Sequence, residues 1–460
     1  MIKNCLLLFL PAFCLTIGAA AQEASHFDHV LILIQENRTP DNLFQGLCGS
    51  NQEFCPQPYN IQDYGIDKSG AKVPLVEVPL AVPFDLGHQH AAFVRTCHVD
   101  PLNNTCRMDR AEETDPRCAA TKCSFGYVRA GDVAPYLTMA QQYGFANYMF
   151  QSNQGPSAPA HAFLFAGTSA ANEADDAAGI FVADNPACPK GCVATLNSVY
   201  WMISPASAPA LYKVLNSTPG QFCFSHPTLV TLLENHTPPL TWKYYTPGPY
   251  NIWTAPNWIR EICEPDASYT RCTGTRWKTN LDMKPTDVLQ DLQNCALPNV
   301  SWVIPSGQYS DHASGSNGSG PSWVADVVNT VGSSSCGYWN NTAVIVTWDD
   351  WGGWYDHEAP ELISDYQYGF RVPLLFISAY TPPGAVSNER MDFGSILRFL
   401  EKNWDIEEGA LNLADRRAAD DLSSFVNFAQ KPRVFQKIPA PLPVGYFLKN
   451  QAILEDPDDE

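Results

Sequence analysis

The stretch from Thr342 to His357, TAVIVTWDDWGGWYDH, constrains the fold more than any other part of the 460-residue chain. It opens with a run of apolar, largely β-branched residues, which is typical of a strand buried on both faces. The run ends at the adjacent carboxylates Asp349 and Asp350, and Gly352-Gly353 follow directly. In open α/β sheets, ligands gather at the carboxyl ends of the strands. The stretch therefore predicts an acidic site at a strand end, with an acidic surface turn as the alternative.

A second buried strand is predicted for residues 29–34, HVLILI, and it leads into Glu36 and Asn37. These two residues could bind a ligand or could cap the following segment. Elsewhere strands alternate with helical stretches, and the chain contains no internal repeat. This alternation favours an α/β fold with a mostly parallel central sheet flanked by helices and interrupted by long insertions.

Ser157 follows Gly155-Pro156, a pair that predicts a turn, and precedes a helix-like stretch from His161 to Phe165. A hydroxyl at the N-terminus of a helix lies at the positive end of the helix dipole, which favours an alkoxide and attracts phosphate. The alternative is an ordinary N-cap serine.

The two ends of the chain differ from its middle. Residues 1–21 have a lysine, a short apolar run and small residues at Ala19 and Ala21, the layout of a signal peptide cleaved after Ala21. We expect a secreted or periplasmic protein whose mature chain has no integral membrane segment. Residues 22–425 are predicted to form a single α/β domain, and residues 426–460 a proline-rich and acidic C-terminal tail.

The cysteines indicate an oxidising compartment. Of the 15 in the chain, Cys5 and Cys14 lie in the predicted signal peptide, which leaves 13. Many are close neighbours in loop-like sequence, which favours local disulfides over zinc ligands. The neighbouring pairs are Cys48 and Cys55, Cys97 and Cys106, Cys118 and Cys123, Cys188 and Cys192, and Cys263 and Cys272.

The formal net charge is −20, with 28 basic against 48 acidic side chains. Because such a surface repels polyanions and no cluster of lysine and arginine offsets it, a nucleic-acid partner is not expected. A local pocket for a phosphorylated or zwitterionic headgroup remains compatible with this charge.

Three predicted turns thus carry oxygen ligands or a hydroxyl: Glu36-Asn37, Ser157 and Asp349-Asp350. Oxygen-rich sites suit one hard divalent cation of the Ca²⁺, Mg²⁺ or Mn²⁺ type. Such a cation can lower the pKa of a serine hydroxyl and neutralise charge on a phosphoryl oxygen.

Four segments resemble a known family, the bacterial phosphoesterases that include phosphatidylcholine-type phospholipases C and acid phosphatases. The resemblance extends from about residue 29 to residue 404. Its markers are QENRTPDNLFQG (35–46), QGPSAPAH (154–161), YSDHASGSNGSG (309–320) and TWDDWGGWYDHEAP (347–360). The family belongs to the alkaline-phosphatase-like superfamily, so the resemblance implies that fold, here with long disulfide-pinned insertions.

The resemblance also implies roles for individual residues. Glu36, Asn37, Asp349 and Asp350 match the metal ligands, and Ser157 matches the nucleophile, which is threonine in some relatives. His88 and His312 match histidines around the phosphate, and His357 falls in a matching motif but with a less defined role.

Two departures from the family pattern affect what can be transferred. Pro40 replaces a common phenylalanine, and Ala160-His161 replaces an Asn-Arg pair after the nucleophile motif. The implied activity is hydrolysis of a phosphoric ester, in a phospholipase C or an acid phosphatase. The alternatives are a catalytically weak phospho-ligand-binding protein on the same fold and a sulfatase-like hydrolase, although the modified-residue motif of sulfatases is absent from the sequence.

Overall fold

The structure is a computed structural model that describes residues 26–49, 55–184, 190–364 and 366–450. The predicted signal peptide, Cys188 and the acidic residues 451–460 lie outside the described residues. Among the described residues, no helix combines the length and the apolar character needed to cross a bilayer.

The strands are short in the insertions and longer in the centre. They are β1 (His29–Gln35), β2 (Tyr64–Ile66), β3 (Lys72–Pro74), β4 (Val76–Val78), β5 (Val99–Asp100), β6 (Thr105–Cys106), β7 (Gly126–Val128), β8 (Gly144–Phe150), β9 (Phe181–Asp184), β10 (Val199–Ile203), β11 (Tyr212–Leu215), β12 (Trp242–Tyr245), β13 (Leu281–Asp282), β14 (Val300–Val303), β15 (Thr342–Trp348), β16 (Leu374–Ser378) and β17 (Ala385–Asp392).

The helices range from one turn to four. They are α1 (Pro40–Leu43), α2 (His90–Cys97), α3 (Cys118–Thr121), α4 (Ala134–Gln142), α5 (Ser157–Ala166), α6 (Glu173–Ala178), α7 (Leu229–Asn235), α8 (Arg260–Cys263), α9 (Thr275–Asn280), α10 (Asp287–Gln293), α11 (Gly320–Ser333), α12 (Phe393–Asn403), α13 (Leu413–Arg417) and α14 (Val444–Lys449).

The central sheet has eight strands in the order β13-β12-β14-β1-β15-β16-β8-β17. Strand β16 runs antiparallel to both of its neighbours, and the other pairs are parallel. Helices α4, α11 and α12 pack against the strands. The prediction of an α/β fold with a mostly parallel central sheet is therefore confirmed.

Strands β1 and β15 are parallel neighbours, and their register places Gln35 beside Trp348. The pairing continues one step further, because the Asp349 amide donates to the Gln35 carbonyl at 3.0 Å. Both strands are almost entirely buried, as their apolar, β-branched sequences predict. Glu36 and Asp349 therefore leave the sheet at the same edge, although 312 residues lie between them in the chain.

Disulfides hold the insertions, as predicted, and four of the five local pairs are present. These are Cys48–Cys55, Cys97–Cys106, Cys118–Cys123 and Cys263–Cys272. The fifth prediction is wrong, because Cys192 bonds to Cys223 across 31 residues. A further bond joins Cys295 to Cys336, which brings the disulfides among the described residues to six.

The described part of the C-terminal region packs on the rest of the protein. Phe435 makes an edge contact with Trp339, and Phe447 is buried against Trp323. The Asn329 side chain bonds both the amide and the carbonyl of Ile438. These contacts attach residues 435–447 to α11 and its surroundings, while the predicted domain boundary at residue 425 stays a prediction.

A pair of buried carboxyl groups lies between α12 and α13. Glu401 and Asp415 are hydrogen-bonded to each other, and Glu401 also accepts from the amides of Gly409 and Ala410. Burial, reinforced by the nearby charge of Asp415, raises the pKa of Glu401 to about 8. Burial also raises the pKa of Asp415. The folded protein therefore favours a protonated pair.

We expect this pair to make the protein less stable as the pH rises. The pKa of Glu401 is raised above its ordinary 4.5, so the stabilisation is complete below 4.5 and is lost as the pH rises through about 8. Asp415→Asn supplies a permanent donor to Glu401 and removes one charge. At pH 8 the variant should melt a few degrees higher than the wild type, and the difference should vanish near pH 4.5. Thermal unfolding across this range measures both, and parallel curves would contradict the expectation.

Candidate active site

Ser157 lies at the centre of a buried cluster of polar side chains. It is the first residue of α5, directly after Pro156, as the turn pattern predicts. Its Oγ lies 3.1 Å from Glu36 Oε2, 3.2 Å from Asp350 Oδ2 and 3.4 Å from Asn37 Oδ1. Because these partners come from the ends of β1 and β15, the sheet register and α5 together bring the three predicted turns into contact.

The two strand ends are tied together through Asp349. Its Oδ1 accepts from the amide of Asn37 at 3.1 Å and from the amide of Asp350 at 2.7 Å. Asn37 has a left-handed backbone with φ 59°, a conformation that asparagine tolerates better than most residues. The amide of Gly352 then donates to Asp350 Oδ1 at 2.7 Å. These backbone donors aim the carboxylates into the site.

Two predicted histidines lie on the other side of Asn37. His88 Nδ1 bonds the Leu86 carbonyl at 2.7 Å, so this nitrogen carries a proton and Nε2 faces the site. The amide nitrogen of Asn37 lies 3.1 Å from Nε2 of His88, which can accept from it, and 3.3 Å from Nε2 of His312. His88 Nε2 also lies 3.8 Å from Asp350 Oδ2. The structure thus brings His88 and His312 together with Ser157.

The loop that carries His312 is held by a buried arginine. Arg38 donates from Nε and Nη2 to the carbonyl of Asp311, at 3.0 and 2.8 Å. Asp311 Oδ2 accepts from the Tyr136 hydroxyl at 2.7 Å and from the Trp348 indole at 3.3 Å. Burial raises the pKa of Asp311 to about 6. Arg38 therefore links β1 to the loop of His312, a role that the sequence did not indicate.

His357 lies in a separate cluster. Its Nδ1 bonds Asp41 Oδ2 at 2.7 Å and its Nε2 bonds Asn60 at 3.0 Å. Arg371 pairs with Asp41 at 3.2 Å and with Asp356 at 2.9 Å. Burial favours neutral His357, but the charge of Asp41 outweighs it and raises the pKa of His357. With Arg371 inside it, this cluster is a charge-balanced ion-pair network that anchors the motif rather than part of the Ser157 cluster.

His161 is the member of the site that sequence reasoning did not assign. Its Nε2 lies 3.1 Å from Glu36 Oε1 and 3.7 Å from Asp349 Oδ2. The position departs from the family pattern, in which an arginine is common. Its spacing of four residues from Ser157 on a predicted helix was the available signal, since such residues share one face of a helix.

The donor atoms of the site fit a divalent cation. Side chains of Glu36, Asp349 and Asp350 are fully buried in one place, and buried carboxylates need a compensating positive charge. Asp349 Oδ2 has no hydrogen-bond partner among the described residues. One donor atom from each of Glu36, His161 and Asp349 lies within 4.8 Å of the others. The carboxylate oxygens of Glu36, Asp349 and Asp350 would hold a cation beside the hydroxyl of Ser157.

The site approaches the surface at Asp85. This side chain is 19% exposed, and its Oδ2 lies 3.8 Å from His312 Nε2. Gly315 lies beside the same histidine, since a Cβ added to it would be 3.7 Å from His312 Nδ1.

Comparisons with known proteins identify the family of the chain. Residues 27–407 match the family model described as Phosphoesterase family. A non-hemolytic phospholipase C of Pseudomonas aeruginosa is 25% identical over 445 residues, which cover 87% of this chain and 57% of the relative. The hemolytic phospholipase C of the same organism is 23% identical over 448 residues, covering 87% and 56%. The chain thus spans a little over half the length of these relatives.

Among solved structures, a protein in the alkaline phosphatase superfamily from Vibrio parahaemolyticus aligns with a TM-score of 0.36 and 11% identity, over 84% of this chain and 67% of that one. The family match includes both strand ends, the start of α5 and the loop of His312. The chain therefore belongs to the Phosphoesterase family.

Proposed function

We propose that the protein is an exported, metal-dependent phosphoric ester hydrolase of the phospholipase C type, with Ser157 as its nucleophile. The observation that carries the proposal is the position of the Ser157 hydroxyl. It lies at a helix N-terminus and within 3.2 Å of carboxylate oxygens of both Glu36 and Asp350. A hydroxyl in this position can lose its proton to a carboxylate while the helix dipole stabilises negative charge.

In the first step, Ser157 Oγ attacks phosphorus in line with the leaving oxygen. The bond from Oγ to phosphorus forms as the bond from phosphorus to the leaving oxygen breaks. The serine proton passes to Glu36 Oε2, which lies 3.1 Å away. His88 or His312, in its protonated form, donates a proton from Nε2 to the departing alkoxide, because both Nε2 atoms face the Asn37 amide beside Ser157.

In the second step, water attacks the phosphoryl-serine. The bond from the water oxygen to phosphorus forms as the bond from phosphorus to Oγ breaks, and Glu36 Oε2 returns its proton to Oγ. The histidine that gave its proton to the first leaving group can now remove one from water, by microscopic reversibility. The Asn37 amide nitrogen and His312 Nε2 face the same space, and both can donate to a non-bridging oxygen. The two half-reactions therefore use the same side chains.

Glu36, Asn37, Asp349 and Asp350 would hold the cation. Bound there, a divalent ion would stabilise charge on the serine oxygen and on the phosphoryl oxygens. The buried, unpartnered Oδ2 of Asp349 supports this assignment. His357 is left out of the proposed chemistry, since its bonds go to Asp41 and Asn60.

A phosphodiester is the favoured substrate class. Both Pseudomonas relatives carry the name phospholipase C, and the chain covers a little over half of each. A headgroup such as phosphorylcholine would enter past Asp85, whose carboxylate suits a cationic group. We assign residues 1–21 to a signal peptide and residues 22–425 to the catalytic domain. The six disulfides support export, because disulfides persist in oxidising compartments.

The experiment compares two chromogenic esters, nitrophenyl phosphorylcholine and nitrophenyl phosphate, before and after treatment with a chelator. We expect faster hydrolysis of the diester and a loss of at least about a hundredfold in rate when the metal is removed, because the buried carboxylates then repel the phosphate. Adding back a divalent cation should restore the rate.

Each other outcome changes a specific part of the proposal. Faster hydrolysis of the monoester would assign the protein to the acid-phosphatase type. Full activity after metal removal, confirmed by elemental analysis, would contradict metal dependence. Binding of either ester without turnover would support the ligand-binding alternative.

A further inference from the structure

His161 lies against the metal site on the side away from the nucleophile. Glu36 separates the two, because its Oε2 contacts Ser157 Oγ at 3.1 Å while its Oε1 contacts His161 Nε2 at 3.1 Å. Ser157 and His161 are one helical turn apart on α5, so the same helix supplies both side chains. His161 is almost completely buried, and its imidazole points at carboxylates rather than at solvent.

We propose that His161 is a nitrogen ligand of the cation, completing a mixed donor set with Glu36 and Asp349. The inference rests on the metal dependence proposed above. It differs from the all-oxygen site expected from the sequence, and it predicts a different metal preference.

The distances suit coordination of one ion. Donors bound to a common ion at about 2.1 Å lie roughly 3 to 3.5 Å apart, depending on geometry. His161 Nε2 is 3.1 Å from Glu36 Oε1 and 3.7 Å from Asp349 Oδ2. The Asp349 oxygen on this side is the one without a hydrogen-bond partner among the described residues, while the other is occupied by two backbone amides. A cation between these atoms would satisfy Oδ2.

A buried tryptophan ring lies beside the imidazole of His161. The ring of Trp253 lies nearly parallel to that of His161, with centroids 6.4 Å apart and an angle of 22° between the planes. Trp253 is itself fully buried. A preoriented imidazole binds a metal with less loss of side-chain freedom, so this packing favours ligation.

An imidazole ligand alters which ion the site selects. Imidazole suits zinc and other transition metals, whereas magnesium and calcium prefer oxygen donors throughout. The proposal therefore predicts that Zn²⁺ binds much more tightly than Mg²⁺, and that His161 is responsible for much of the difference.

The test uses the full mature chain after chelator treatment, titrated calorimetrically with Zn²⁺ and separately with Mg²⁺. His161→Gln should weaken Zn²⁺ binding at least about tenfold and Mg²⁺ binding by less than about threefold, because glutamine can still offer an oxygen. The matched control is His226→Gln, a buried histidine that contacts Asn412 outside the site, and it should leave both affinities unchanged. X-ray absorption at the zinc edge should show imidazole scattering that decreases in His161→Gln.

Several results would overturn the assignment. Unchanged Zn²⁺ affinity and unchanged imidazole scattering in His161→Gln would make His161 a hydrogen-bond neighbour of Glu36 only. An equal loss for both ions would mean that it shapes the pocket without ligating. If the variant fails to fold, the wild type alone can still overturn the assignment. A zinc edge without imidazole scattering would exclude His161 as a zinc ligand.

The outcome is separable from that of the proposed function. Zinc binding that depends on His161, in a protein that hydrolyses neither ester, would support the ligand and contradict the enzyme. Metal-dependent hydrolysis by a protein whose zinc edge shows no imidazole scattering would support the enzyme and contradict His161 as a ligand. A wild type that binds no divalent ion would overturn both this inference and the metal dependence.

Discussion

Ser157→Ala is expected to lower kcat/KM for a nitrophenyl phosphate ester by at least about a thousandfold, since removal of a nucleophile eliminates the covalent route. The hydroxyl contacts Glu36, Asn37 and Asp350, so its loss also leaves a small void among carboxylates. Initial rates measure the effect on activity. Acid quenching with the monoester, followed by mass spectrometry of the Ser157 peptide, should trap a phosphoserine in the wild type alone.

Two further serine variants make this result interpretable. Ser169→Ala removes a buried hydroxyl that donates to the Val182 carbonyl outside the site, and it should retain wild-type activity. Ser157→Thr keeps a hydroxyl at the same position and should retain part of the activity. Turnover in Ser157→Ala within tenfold of the wild type would contradict the assignment of the nucleophile.

Gly352→Ala is expected to abolish activity and to destabilise the protein by several kcal/mol, the range for strain combined with overpacking in a buried turn. Gly352 has φ +61°, a left-handed conformation that disfavours alanine. The added Cβ would also lie 2.3 Å from the carbonyl oxygen of Asn37. Because that contact is with backbone, Asn37 or the turn that orients Asp350 must move. Activity, metal content and thermal unfolding report the three consequences.

Gly70→Ala separates the two causes. Gly70 has φ +80°, but a Cβ there would meet no atom within 4 Å, so the variant has the backbone strain without the collision. It should lose about 1 kcal/mol of stability and keep its activity. Equal behaviour of the two variants would mean that the close approach of Gly352 to Asn37 is not what the site requires.

Features that depend on neighbouring residues in the chain were predictable from sequence. The runs His29–Gln35 and Thr342–Trp348 form buried parallel strands, because a continuous apolar, β-branched sequence has few other stable environments. Asp392 caps α12 through a capping box, as its position before an amphipathic stretch indicates. Short cysteine spacings likewise identified four disulfides.

Features that depend on contacts between distant segments of the chain were not predictable from sequence. Cys192 bonds Cys223 rather than a near neighbour, because the chain between them folds back and brings the sulfur atoms together. His357 shares a motif with Asp349 and Asp350, yet the turn after Gly353 directs it to Asp41 and Arg371. A short sequence separation says little about contact once a left-handed turn reverses the chain.

By itself, the sequence determined the fold class, the strand-end carboxylates and the serine at the start of α5, because local patterning and turn chemistry specify these. Only the tertiary structure decided that His161 lies against Glu36 and Asp349 while His357 lies elsewhere. That decision comes from the register of β1 on β15 and from the packing of α5 against α12 and β9. Both are set by packing between segments far apart in the chain, which no local pattern encodes.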